Sequence, residues 1–125
     1  MEIFRKKRNR SGGSPTIRVD AKGRFDLSKG LMQLTGFVDS TAVMFGFSKS
    51  DGCAYVWAEE PEDDSYYLRN NSDYRPGLRF NSINLREMFN AFFKIDKKKT
   101  LTLILGKKDE KDRHPIRVYE KESNL

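Results

Sequence analysis

Alternating apolar and polar positions near the start of the chain predict two short strands joined by a corner. Residues 16–20, TIRVD, and residues 24–27, RFDL, both alternate apolar and polar side chains. A period of two is typical of a strand with one buried face. Ala21-Lys22-Gly23 lies between them and predicts a tight turn, because glycine adopts positive φ without steric cost. We therefore expect a hairpin with its apolar side chains pointing inward.

Two later stretches have the three- and four-residue spacing of amphipathic helices. The first, KGLMQLTG, follows Ser28 as a candidate N-cap and stops at Gly36. The second has Asn81 or Asn84 as its candidate cap. Its apolar stripe repeats at i, i+3, i+4, i+7 and consists of Leu85, Met88, Phe89 and Phe92.

The remaining β-rich runs complete a strand-rich pattern. TAVMFGFS and CAYVWAE, separated by KSDG, predict a hairpin with an Asp-Gly turn. SYYLRN predicts one short strand, and TLTLILG with IRVYE predicts a last hairpin with the charged tip KKDEKDRHP. The sequence thus predicts a single strand-rich α+β domain with two short helices.

The two halves of the chain follow one plan at a spacing of about 55 residues. In residues 16–60 and in residues 77–121, a strand leads into a helix and then into two strands around a polar tip. We interpret this as two β-α-β-β repeats that share one core. The identity between the halves is low, so a chance succession of common elements is the alternative.

Length and composition are those of a small folded domain. The 125 residues include 37% hydrophobic and 12% aromatic side chains, enough for one core despite 34% charge. No apolar run approaches the roughly 18 residues of a membrane span, and the charged first residues do not resemble a secretory signal. The lone Cys53 fits a reducing compartment, so we expect a cytoplasmic location. With His114 as the one histidine, we expect no metal site and no cofactor.

Most of the net charge of +6 is concentrated at the start of the chain. Residues 1–15 consist of a basic segment and the linker-like SGGSP, and we call them the basic arm. Its cationic side chains are Arg5, Lys6, Lys7, Arg8 and Arg10. Such an arm suits a polyanion such as nucleic acid, because its lysines and arginines displace counterions from phosphates. A solubilising tail or an address label is the alternative.

Residues 19–37, VDAKGRFDLSKGLMQLTGF, resemble the signature of the AbrB/MraZ group of swapped-hairpin transcription factors. The matching positions are Val19, Asp20, Gly23, Arg24, Leu27, Leu31, Gly36 and Phe37. In the MraZ branch two such units are joined in one chain, as in the two halves here. The pattern's usual proline at the helix start is Ser28, and its arginine after the first helical leucine is Met32. The second half has GLRF in place of the Gly-Arg corner.

The resemblance implies a non-enzymatic, DNA-binding transcriptional regulator that contacts duplex DNA and self-associates. Lys22 and Arg24 flank the glycine of the corner, where both can project toward phosphates or a guanine edge. Arg18 and Lys29 are further candidate contacts, and the basic arm would add affinity that does not depend on sequence. The competing interpretation is that Arg24 pairs with Asp20 or Asp26 and only stabilises the turn.

Two other functions remain open. The acidic loop EEPEDD, residues 59–64, favours a structural or assembly protein, of a phage or mobile element for example, in which the basic arm of one copy meets the acidic loop of another. Strand aromatics favour a single-strand nucleic-acid binder, if they are exposed rather than buried; they are Tyr55, Trp57, Tyr66, Tyr67 and Phe80. An enzyme is not expected, because His114 falls in the charged tip with no nucleophile placed beside it.

Overall fold

The computed structural model describes residues 13–71 and 76–119, which form two helices and nine strands. The helices are α1 (Lys29–Thr35) and α2 (Ile83–Phe93). The strands are β1 (Thr16–Val19), β2 (Arg24–Leu27), β3 (Ala42–Ser48), β4 (Cys53–Ala58), β5 (Tyr66–Tyr67), β6 (Arg69–Asn70), β7 (Leu78–Asn81), β8 (Leu101–Leu105) and β9 (His114–Val118). The predicted strand-rich α+β fold is confirmed. Across these two described ranges, no helix has the length and apolar character needed to cross a membrane.

All strands belong to one antiparallel sheet whose two edges come from the same short segment. The order is β5-β3-β4-β9-β8-β1-β2-β7-β6. β5 pairs with β3 and β6 pairs with β7, and only Leu68 separates β5 from β6. The carbonyl of Leu68 accepts from the Ser40 amide at 2.7 Å, and its amide donates to the Thr41 carbonyl at 2.9 Å. The sheet therefore bends back on itself into a nearly closed barrel.

The two halves of the barrel interleave. In the first half β1 pairs with β2, and in the second half β6 pairs with β7. Each half also reaches into the other, because β1 pairs with β8, β5 with β3, β2 with β7, and β4 with β9. β5 and β6, which pair with β3 and β7, begin at Tyr66, ahead of the boundary at residue 77 expected from the sequence. Neither half has a complete sheet of its own.

Aromatic side chains from both halves fill the interior. Phe25 and Phe80 lie opposite each other in the β2–β7 register and stack with ring centroids 4.6 Å apart. Phe89 of α2 packs against Phe25 and Phe45, at 6.0 Å and 5.9 Å between centroids. Full burial of such a side chain contributes roughly 1.5–3 kcal/mol, so Phe89 is one of the side chains that hold α2 on the sheet.

The caps of α1 agree with the sequence. The Ser28 hydroxyl accepts from the Leu31 amide at 3.1 Å, and Gly36 ends the helix in the left-handed region at φ +81°. Both features satisfy backbone groups that a helix terminus leaves without partners.

The cap and the stripe of α2 differ from the prediction. The N-cap is Ser82, whose hydroxyl accepts from the Leu85 amide at 3.1 Å, whereas Asn81 belongs to β7 and Asn84 lies inside the helix. Met88 is 50% exposed, while Arg86 is buried. Arginine is a polar residue, so the sequence pattern could not identify Arg86 as buried. The pattern placed Met88 on the buried face instead.

Two further predictions were wrong in detail. SYYLRN forms two strands rather than one, because its central residue turns inward to close the barrel. His114 is the buried first residue of β9 rather than part of a solvated tip. Its Nδ1 lies 3.0 Å from the Gly106 carbonyl oxygen, and its ring packs edge-on against Phe37. These contacts make it a structural histidine.

Candidate nucleic-acid interface

The backbone of the Lys-Gly-Arg corner is held by Asp20. Its Oδ1 accepts hydrogen bonds from the amides of Lys22 at 2.9 Å and Arg24 at 3.0 Å. The Gly23 amide donates to the Asp20 carbonyl at 3.1 Å. The side chain of Lys22 is exposed. The turn is therefore held by the Asp20 carboxylate and by a backbone hydrogen bond, and none of these bonds uses the Lys22 side chain.

Gly23 places the corner against the start of α2. Its φ of +90° favours glycine, and a Cβ there would lie 2.8 Å from the backbone N and Cα of Ile83. The Ser82 amide donates to the Gly23 carbonyl at 2.8 Å. The corner thus packs on the helix of the other half with no room for a side chain.

Arg86 joins this corner to the loop that follows α2. The side chain is 1% exposed, and its guanidinium donates to four backbone carbonyls and one amide oxygen. The acceptors are Val19 O (2.7 Å), Asp20 O (3.2 Å), Lys99 O (2.6 Å), Asp96 O (3.2 Å) and Asn90 Oδ1 (2.7 Å). Two segments that are far apart in the chain are thereby held by one side chain.

The loop held by Arg86 is rich in lysine. Residues 94–99, KIDKKK, connect α2 to β8, and all four lysines are exposed. Lys97 and Ala21 line one surface groove, while Thr100 and Asp20 line another depression. We call the exposed cations of this region the basic end; they are Lys22, Arg24, Lys97, Lys98 and Lys99.

Two carboxylates near the basic end, those of Asp20 and Asp96, accept hydrogen bonds from backbone amides. The Asp96 carboxylate accepts a hydrogen bond from the Lys98 amide at 2.9 Å. In the same way, the Asp20 carboxylate accepts from the Lys22 amide in the corner. Burial lowers the pKa of Arg86 from its ordinary value, and the nearby Asp20 and Asp96 carboxylates oppose that effect. Because a guanidinium stays charged in proteins, Arg86 adds a buried positive charge beneath the surface lysines.

Arg24 takes part in one ion pair on the outer face of the sheet. Its Nε lies 3.4 Å from Asp26 Oδ1, and 47% of its side chain is exposed. Arg18 lines the same depression of about 200 Å³, together with both aspartates of the corner region. The pairing of Arg24 with Asp26, which the sequence offered as the alternative to DNA contact, is therefore present in the structure. A surface pair is worth about 0–1 kcal/mol, so a phosphate can replace it at little cost.

The other predicted contacts do not join this group. Lys29 is the first residue of α1 and lies at the far end of β2 from Lys22. The arginines and lysines of the basic arm lie outside the described residues.

Sequence reasoning missed the lysine loop and Arg86. The sequence feature that could have indicated the loop is the run of lysines in residues 94–99, KIDKKK. Arg86 follows Leu85 at the fourth position after its N-cap, as Met32 follows Leu31 in α1. Arg86 and Met32 thus stand at the same distance from their N-caps, and Arg86 holds the corner of the first half.

Four of the five strand aromatics are buried or packed against another group. Phe80 is buried, and Tyr66 packs against it at 5.3 Å between centroids. One face of Tyr55 is covered by the Arg113 guanidinium, 4.2 Å from the ring centroid. Trp57 lies across Gly46, where a Cβ would be 3.1 Å from the indole ring.

Comparison of this chain with protein-family models, with curated proteins and with solved structures finds no match. Within residues 13–71 and 76–119, no three His, Cys, Asp or Glu side chains are grouped so as to hold a metal ion.

Proposed function

We propose that this protein is a non-enzymatic binder of duplex DNA that makes contact through the basic end. The observation that best supports this proposal is that the guanidinium of Arg86 holds the corner and the lysine loop side by side. Neither segment alone has more than a few cations. Together they form a compact positive surface on a rigid support, and clustered cations gain affinity by releasing counterions from the DNA backbone.

Each part of the surface has a distinct role in this proposal. Lys22 and the lysines of residues 97–99 contact phosphates, which position the protein without reading sequence. Arg24 leaves its surface pair with Asp26 to bind a phosphate or the O6 and N7 edge of guanine. The basic arm adds non-specific affinity along the neighbouring backbone.

The biological role that fits is transcriptional regulation in the cytoplasm. The resemblance of residues 19–37 to AbrB/MraZ regulators supports it, as does a topology in which two halves of one chain interleave. The buried, free thiol of Cys53 suits a reducing compartment. Self-association of such chains would add the two-fold arrangement common among regulators.

Fluorescence anisotropy with a labelled duplex of mixed sequence, across a salt series, tests the proposal. We compare the wild type with Lys22→Ala/Arg24→Ala and with Lys97→Ala/Lys98→Ala/Lys99→Ala. Each variant should bind at least about tenfold more weakly, and the slope of log K against log salt should fall by about 0.9 for each lost phosphate contact. The control is Lys107→Ala/Lys108→Ala, in the loop at the opposite end of β8. It should bind like the wild type.

Two outcomes contradict DNA binding at this end. One is an absence of binding at low salt. The other is binding that both sets of variants leave unchanged.

The second candidate, an assembly protein, is favoured by the exposed acidic loop. Glu60, Glu62, Asp63 and Asp64 are exposed, and Ser65 donates to Glu59 Oε2 at 2.6 Å, so the loop has defined local contacts. Deleting residues 1–12 should then abolish self-association, measured by analytical ultracentrifugation. A DNA binder with the same deletion would lose only part of its affinity for duplex DNA.

A further inference from the structure

We infer that Arg18, Arg79 and Arg69 form a second set of DNA contacts on the outer face of the sheet, where they bind backbone phosphates. We call these three residues the arginine row. The inference rests on the proposed function and extends it, since the row would continue the footprint of the basic end across four strands.

Strand register places the row in one line. Arg18 of β1 lies opposite Asp26 of β2, Asp26 lies opposite Arg79 of β7, and Arg79 lies opposite Arg69 of β6. Residues directly opposite each other in a sheet share a face, and all three arginines are exposed. With about 4.8 Å between strands, the row is about 14 Å long.

The facing pair Arg69 and Arg79 is unfavourable for the fold itself. Like charges directly opposite each other destabilise a sheet. At the corresponding place in the first half, Arg18 faces an aspartate instead. Two facing arginines do not stabilise the fold as an arginine facing an aspartate can. They do suit an anion bound between the two side chains.

The guanidinium groups of the arginine row are available to bind an anion. Within the described ranges, no carboxylate lies within 4.0 Å of a guanidinium nitrogen of Arg18, Arg69 or Arg79. Asp26 is engaged by Arg24, and Arg69 donates to the Ser40 hydroxyl at 3.0 Å. Guanidinium groups bind phosphate oxygens in pairs, with defined geometry.

The row and the basic end are continuous. Arg18 and Asp26 line the same depression as Arg24 and Thr100, next to the lysine loop. One phosphate backbone can therefore pass from the lysines over the corner to Arg79 and Arg69. The row lies on the outside of the strands rather than on a projecting turn, so we assign it to phosphates and not to base edges.

The test is Arg69→Gln/Arg79→Gln in the full chain, assayed for duplex DNA affinity over a salt series and for thermal unfolding. The slope of log K against log salt should fall by about 1.8, for two lost phosphate contacts. The unfolding temperature should stay the same or rise, because the like-charge repulsion is gone. The control is Lys107→Gln/Arg117→Gln, which removes the same charge from β9 and the loop before it. Its slope should match the wild type.

The outcomes separate this inference from the proposed function. If basic-end variants lose DNA binding while Arg69→Gln/Arg79→Gln keeps the full slope, the row is wrong and the function stands. If neither set changes binding, both are wrong. A lowered unfolding temperature would mark the pair as structural and overturn the inference. Arg18→Gln tests the row without touching that pair, and it should reduce the slope by about 0.9; an unchanged slope would contradict the row.

Discussion

At the scale of single residues, the guanidinium of Arg86 decides where the cations lie. A buried charge is costly unless its donors are satisfied, and here carbonyls from the corner and the lysine loop satisfy them. Met32 stands at the corresponding position of α1 and can hold nothing in this way. Arg86 thus keeps the corner and the lysine loop next to each other at this end of the barrel.

Arg86→Met should therefore lower the free energy of unfolding by about 3 kcal/mol, because several carbonyls would lose a charged donor. Urea denaturation measures the change. Met88→Gln on the exposed side of the same helix is the control, and it should stay within about 0.5 kcal/mol of the wild type. An Arg86→Met protein as stable as that control would mean that the guanidinium does not hold the two loops.

At the scale of elements, the two long hairpins are tied together at one end. The Tyr55 hydroxyl of β4 donates to Asp51 Oδ2 at 2.7 Å, and Arg113 lies over the Tyr55 ring. Arg113 also pairs with Asp109 at 3.0 Å. Tyr55 thus has a structural role in joining the β3–β4 and β8–β9 hairpins.

Tyr55→Phe should raise the pKa of Asp51. Hydrogen bonds from Tyr55 and then Ser48 hold that pKa below its ordinary value, so the Asp51 contribution to stability is present at neutral pH and lost as pH falls through the lowered pKa. Carboxyl NMR titration measures both proteins. Asp109, whose pKa is lowered mainly by the Arg113 amide, is the internal reference and should not move. Identical Asp51 titrations would contradict the assignment.

At the scale of the whole molecule, closure of the barrel depends on the segment between β5 and β6. Leu68 is fully buried, and its backbone bonds to Ser40 and Thr41. Both edges of the sheet meet here, and the Leu68 side chain packs this point of closure into the core.

Leu68→Ala should lower the free energy of unfolding by about 2–5 kcal/mol, since it leaves a cavity at the closure. Chemical denaturation provides the measurement, and Val38→Ala at a 58% exposed position is the control, with little change expected. A cost below about 1 kcal/mol would mean that the edges stay joined without this side chain.

The sequence by itself determined the elements whose signals are local. The strands of residues 16–27, the corner between them and both caps of α1 follow from period-two alternation, from glycine and from a serine N-cap. These features depend on neighbours only a few residues away. The candidate contacts Lys22 and Arg24 were found for the same reason.

Only the tertiary structure decided which cations share a surface. Register across β1, β2, β7 and β6 aligned the arginine row, and burial of Arg86 brought the lysine loop to the corner. The same long-range pairing buried His114 and placed Asn81 in β7 opposite Arg24, which removed Asn81 as a cap of α2. Such contacts join residues that are far apart in the chain, so no local pattern carries them.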